Sequence, residues 1–239
     1  MDKNSNSYTF TFALGVCIVC SFLLALVSEG LRPQKEINEA LDVKRNILRA
    51  VGVKAALEPQ TSGEEILQIY DRRIEEQVIN DRGEVVDGQL PEAVRDGDQL
   101  YPLYIYKDGG RTEAYAFPIV GKGLWSTIYG YLAIESDAVT VRGVAFYKHG
   151  ETPGLGGEIE TRWFQDQFKG KKIYDVDDQE LVPIRVVKGK VEDQLKPDAA
   201  EHAVDGISGA TLTGKGITQM LDKWIRVYER YFEKVRNGQ

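Results

Sequence analysis

Residues 205–213 read Asp205-Gly206-Ile207-Ser208-Gly209-Ala210-Thr211-Leu212-Thr213, three hydroxyls and two glycines in one turn ahead of an amphipathic run. Free N–H groups and the positive end of a helix dipole let such a turn accept an anion. One chemistry that uses this arrangement is nucleotide hydrolysis on a phosphate loop, and Gly209 to Lys215 does spell G-x-x-x-x-G-K. That motif needs Ser or Thr next, to set a hydroxyl on magnesium, and Gly216 stands there instead. The preceding A-E-H-A-V-D-G is also a poor buried strand. A plainer use of the same residues is an ordinary Ser/Thr helix cap.

Two upstream stretches share this density of glycine beside polar and aromatic groups. They are Gly121-Lys122-Gly123-Leu124-Trp125 and His149-Gly150-Glu151-Thr152-Pro153-Gly154-Leu155-Gly156. Neither carries the third glycine of a Rossmann fingerprint. Taken in order with D-G-I-S-G-A-T-L-T, they resemble three hallmarks of the FMN-binding domain family: G-x-G-L-W, H-x-E-T-P-G-L-G and D-G-x-[ST]-G-A-T-x-[ST]. In that family a dedicated flavin transferase moves FMN from FAD onto the threonine of G-A-T as a phosphoester. The resemblance implies that Thr211 is the covalent acceptor of FMN.

The same resemblance assigns the neighbours. Gly209 and Ala210 remove bulk beside the acceptor, Asp205, Gly206 and Ser208 present the loop to the transferase, and Thr213 bonds the phosphate. Trp125 and Leu155 are expected to pack on the isoalloxazine ring, with Glu151 and Thr152 making polar contacts. The bland counterparts are a core tryptophan and a tight turn at Pro153-Gly154. His149 reads as a structural hydrogen-bonder and His202 as a surface residue.

Other chemistries are poorly supplied. Both cysteines, Cys17 and Cys20, lie in the apolar N-terminal stretch, and only two histidines are present, so no protein-built metal site is expected. A net charge of −7, with no basic stripe interleaved with aromatics, argues against nucleic acid.

The elements that hold these loops read as α+β with a mainly antiparallel sheet and flanking helices. Apolar residues at helical spacing predict a helix after Pro33 up to Gly52, and a second over residues 63–79. From residue 83 the pattern turns to strands, with a hairpin at Asp108-Gly109-Gly110 and another pair flanking Ser136-Asp137. A short helix is expected over 160–168, a strand over 182–187, and an amphipathic helix from Gly214 onward.

Residues 8–27 hold no charged side chain. Twenty residues at about 1.5 Å each reach about 30 Å, the depth of a bilayer's hydrocarbon core. The run is longer than a signal peptide's, and no small-residue cleavage site follows it. The reading is a tail at 1–7, a transmembrane helix at 8–28 ending near Glu29, Arg32 and Pro33, and an extramembrane FMN-binding domain at 29–239. Cys17 and Cys20 share a face of that helix and read either as small packing residues or as a redox or metal pair in the membrane. Lys3 faces Arg32, Lys35, Lys44 and Arg45 across the apolar run, so a literal positive-inside count puts the domain in the cytoplasm, under a rule that weakens for long translocated domains.

Over nearly its full length, including L-R-P after the helix and D-x-K-x-N-I-L beyond it, the chain resembles the anchored flavin subunits of bacterial respiratory complexes. That implies an electron relay without a complete active site of its own. Implied partners are the other subunits of the complex, the flavin transferase during maturation, and membrane lipid, with the domain on the outer side of the cytoplasmic membrane. Such subunits serve a sodium-translocating complex that oxidises NADH and reduces quinone, which these runs favour, or one that connects ferredoxin with NAD. A membrane-tethered flavin sensor or scaffold is the reading from another class.

Overall fold

The computed structural model describes residues 6–95, 97–177 and 179–238. Of the expected tail, residues 1–5 lie outside them. The chain divides into two units, Met1–Val43 and Lys44–Gln239.

Helix α1 runs Asn6–Ala50 without a break, with Pro33 inside it. The expected stop at Pro33 is therefore not observed. Proline removes one backbone donor, but ion pairs bridge the turn on either side of it: Arg32 with Glu29 at 3.5 Å, Arg32 with Glu36 at 3.1 Å and Lys35 with Glu39 at 3.6 Å. The helix is long and apolar enough to cross a membrane, and its apolar window is wholly uncovered.

In the second unit the last residues of α1 lead through α2 (Lys54–Leu57) to α3 (Gly63–Arg73). Ser62 caps α3 by accepting the Glu65 amide at 3.2 Å. The chain then turns straight into strand β1, Ile74–Asn80, where a continuing helix was expected. Ile74 and Val78 are both buried, and a spacing of four fits one helical turn as well as strand alternation. Pairing decides the matter, because all seven residues of β1 are in register with β2, from Ile74 opposite Tyr106 to Asn80 opposite Leu100.

Strands β2 (Leu100–Asp108), β3 (Arg111–Lys122), β4 (Thr127–Glu135) and β5 (Val141–Lys148) complete an antiparallel sheet in simple sequence order. Both expected hairpins are present. Beyond β5 come α4 (Arg162–Gln165), the two-residue strands β6 (Tyr174–Asp175), β7 (Glu180–Leu181) and β8 (Arg185–Val186), then α5 (Pro197–Ala200) and β9 (Ala203–Val204). The strand expected over 182–187 shrinks to β8, which pairs in parallel with β9.

The long closing helix α6 spans Thr211–Arg236 and begins three residues ahead of the expected start. It buries Ile217, Met220, Leu221, Ile225, Tyr228 and Phe232, the spacing of a single helical stripe. Facing them across the sheet are Leu103, Tyr115, Phe117, Ile119, Ile128 and Leu132. Elsewhere the residue just after α1 is tied to the sheet, where Arg142 Nε donates to the Val51 carbonyl at 2.7 Å, and α3 packs on β1 and β2.

Phe117 stacks on Tyr228 with ring centroids 4.1 Å apart, and the Tyr228 hydroxyl donates to the Pro102 carbonyl at 2.6 Å. This contact ties α6 to β2 inside the core. Tyr228→Phe keeps the stacking and loses the bond, so the expected cost is about 1 kcal/mol. The check is the urea midpoint at unchanged slope.

Candidate functional site

Three loops converge on the start of α6. One joins β3 to β4 and holds Leu124, Trp125 and Ser126. The second follows β5 and holds residues 149–156. The third, 205–210, leads from β9 into α6.

Glu151 holds the three together. Its carboxylate, 5% exposed, accepts the amides of Leu124, Trp125 and Ser126 at 3.1, 2.9 and 3.2 Å, and the Thr213 hydroxyl at 2.6 Å. Burial pushes this carboxyl up, while Thr213 and the three amides pull it down more strongly, leaving it below the usual carboxylate range. His149 belongs to the same loop: its Nδ1 accepts the Glu151 amide at 3.2 Å, and Nε2 lies 3.3 Å from the Glu160 carboxylate.

Thr211 is the first residue of α6, with Ala210 at the cap position and no side chain capping the helix. The cap reading of these hydroxyls therefore does not describe Thr211. Its side chain is exposed, and its hydroxyl has no hydrogen-bond partner among the described residues. Gly209 turns the chain into the helix with φ of +75°, and a Cβ there would come 2.8 Å from Leu155 Cδ2. Glycine thus solves both the turn and the close pass of Leu155.

Asp205 accepts the Val191 amide through Oδ1 at 2.7 Å, and its own amide donates to Gln167 Oε1 at 2.9 Å. Gly206 N–H donates to the Gly189 carbonyl at 2.8 Å, and a Cβ at Gly206 would run into the Val187 carbonyl. Asp205 and Gly206 thus fasten the loop to residues 187–191. Ser208 is exposed.

The expected ring-contacting residues are uncovered. Trp125 is 71% exposed, so the core-tryptophan reading does not hold, and Leu124, Leu155 and Leu212 are exposed as well. Thr152 is exposed, and its carbonyl accepts the amides of Leu155 and Gly157 at 3.1 and 2.9 Å. Thr213 is 1% exposed and its hydroxyl is engaged by Glu151. Geometry separates the two threonines of the motif into an open one and a closed one.

On the other side of Thr211 lies a cavity of about 590 Å³, within the size range of small-molecule sites. Trp163, Lys188, Lys190 and Lys215 line it together with residues 205–211. None of these four was singled out as a site residue in the sequence. Lys215 was visible only inside the failed phosphate-loop match, and Trp163 arrives from α4. His202, expected at the surface, is 8% exposed, and its Nδ1–H donates to the Lys172 carbonyl at 2.7 Å. Its place beside β9 brings it under the segment that carries Lys172.

An exposed hydroxyl at a helix start, with exposed apolar side chains in the neighbouring loops, fits a flavin-binding site. Residues 123–226 match the FMN-binding domain family. The chain is 34% identical to the C subunit of the Na(+)-translocating NADH-quinone reductase of Yersinia pestis, over 99% of this chain and 96% of that protein. It is 33% identical to the corresponding protein of Pseudomonas aeruginosa, covering 100% of this chain and 99% of that one. The crystal structure of the C subunit from Parabacteroides distasonis superposes with a TM-score of 0.72 at 33% identity, over 84% of this chain and 96% of that chain. The NqrC structure from Shewanella oneidensis gives a TM-score of 0.67 at 29% identity, over 85% and 99%. The chain belongs to the NqrC family, the C subunits of the Na(+)-translocating NADH-quinone reductases.

Proposed function

We propose that this chain is an electron-relay subunit of a sodium-translocating NADH–quinone reductase, and that it carries FMN joined by a phosphoester to Thr211. The observation that carries the reading is the Thr211 hydroxyl, exposed and unpartnered at the head of α6 in a chain of this family. FMN supplies one- and two-electron chemistry when bound, and the protein supplies position and electrostatics. Trp125 and Leu155 pack on the ring, which covers an apolar ledge otherwise left to water. Ser208, Gly209 and Ala210 shape the approach to Thr211, and the exposed Thr152 makes a polar contact with the flavin. Glu151 and Thr213 act by clamping the loops, since their polar atoms are bonded to one another and to backbone. NADH and quinone bind on other subunits. A covalent link suits a site whose ring edge must stay open to a docking partner.

Residues 8–28 anchor the chain in the bacterial cytoplasmic membrane, and the domain at 29–239 lies on the outer side, where lost FMN is not replaced. During maturation the partner is a flavin transferase, and afterwards the other subunits and the surrounding lipid.

The test is intact mass of the full chain co-expressed with a flavin transferase, then digestion to locate the change. Addition of FMN less water on the peptide containing Thr211 is the expected result. An unmodified chain from cells with proven transferase activity overturns it.

A further inference from the structure

The cavity beside Thr211 has no part in the reading above, yet its charge runs against that of the chain. The sequence has 37 acidic and 30 basic residues, whereas this cavity is lined by Lys188, Lys190 and Lys215 against one acid, Asp205. Asp205 already accepts the Val191 amide. Lys190 is paired with Glu192 at 3.1 Å. Lys188 and Lys215 are exposed and form no ion pair among the described residues, so two lysines without a charged partner belong to the same lining as Thr211. Lys215 stands one helical turn after Thr211, on the same side of α6.

We propose, resting on Thr211 as the flavin acceptor, that this cavity seats the pyrophosphate of FAD during flavin transfer, with Lys188 and Lys215 stabilising its charge. In that step the bond from Thr211 Oγ to the flavin-side phosphorus forms and the P–O bond to the adenylate breaks. AMP leaves with the electron pair, and the Thr211 proton passes to the transferase or to solvent. Negative charge gathers on the departing phosphate, and fixed cations next to it act most strongly at that moment. The acceptor chain thus contributes to catalysis of its own modification, in addition to being the substrate.

The experiment is flavin transfer in vitro, with the detergent-solubilised full chain, a purified transferase and FAD, read as initial rates of covalent flavin fluorescence. Lys188→Gln with Lys215→Gln is expected to lower kcat about tenfold, the exposed position of the lysines limiting the effect through solvent screening. The KM for the acceptor chain should stay within about twofold, since ground-state docking is not what the lysines supply. Lys188→Arg with Lys215→Arg keeps both charges and should restore the rate. Unchanged kcat overturns the proposal, and a raised acceptor KM alone makes the lysines a docking surface for the transferase. A low rate in the arginine pair traces the loss to shape and overturns the charge assignment. A wild-type chain left unmodified is a different failure, that of Thr211 as acceptor.

Discussion

Thr211→Ala is expected to remove covalent flavin completely and to leave the fold unchanged. The side chain is exposed and its hydroxyl bonds to nothing among the described residues, so its loss breaks no contact. Thr211 is the first residue of α6, and alanine, the best helix former, is compatible with that place. The stability change should therefore stay within about 0.5 kcal/mol. Thr213 offers no substitute acceptor, because it is 1% exposed and its hydroxyl is held by Glu151 at 2.6 Å. Thr211→Ser keeps a hydroxyl at the same place and should retain part of the labelling. The measurement is flavin fluorescence of the denatured chain beside a thermal melt. Covalent flavin persisting in Thr211→Ala would falsify the assignment, and loss of flavin with a collapsed melt would move the cause from chemistry to folding.

Much of the scaffold was legible because its signals are local. The hairpin at Gly109-Gly110, the strand pair around Ser136-Asp137 and the amphipathic stripe of α6 need only neighbouring residues to declare themselves. The errors fall where a local pattern fits two structures. Ile74 and Val78 suit a helix or a strand, and β2, more than twenty residues away, settles the matter by pairing. Pro33 reads as a helix stop, yet α1 runs through it unbroken.

The site divides in the same way. Thr211 could be named from a nine-residue motif, whereas the cavity beside it could not. Lys188 and Lys190 reach that cavity because β8 pairs with β9 and Asp205 holds the backbone of Val191. Trp163 reaches it from α4. The role of Glu151 was hidden too, since its four partners lie 25 to 27 and 62 residues away. A motif places the residue types, and only tertiary structure tells which of them are open to solvent and which face each other.

Glu151→Ala is expected to destabilise the domain by roughly 2–4 kcal/mol, each buried donor left without an acceptor costing about 1–3 kcal/mol and some of them regaining water. The amides of Leu124, Trp125 and Ser126 and the Thr213 hydroxyl all lose their partner at once. Glu151→Gln is the sharper variant, because it keeps the volume and one carbonyl oxygen while removing the charge. Its effect carries a pH signature whose sign follows from the depressed carboxyl. A carboxylate held below its unfolded value contributes stability that is full above the unfolded value and is lost as pH falls through the folded one. The wild type should therefore lose stability on acidification below about pH 4.5, a range in which the glutamine variant starts lower and falls less steeply. Urea midpoints from pH 7 to pH 3 test this, and parallel curves for the two proteins would remove Glu151 from the account of acid stability. The same variant should slow flavin transfer to Thr211, since the turn before α6 is held to the other two loops through Thr213. If labelling proceeds at the wild-type rate while stability drops, the clamp serves the fold alone, and Thr211 is presented by the 205–210 turn and its ties to residues 187–191.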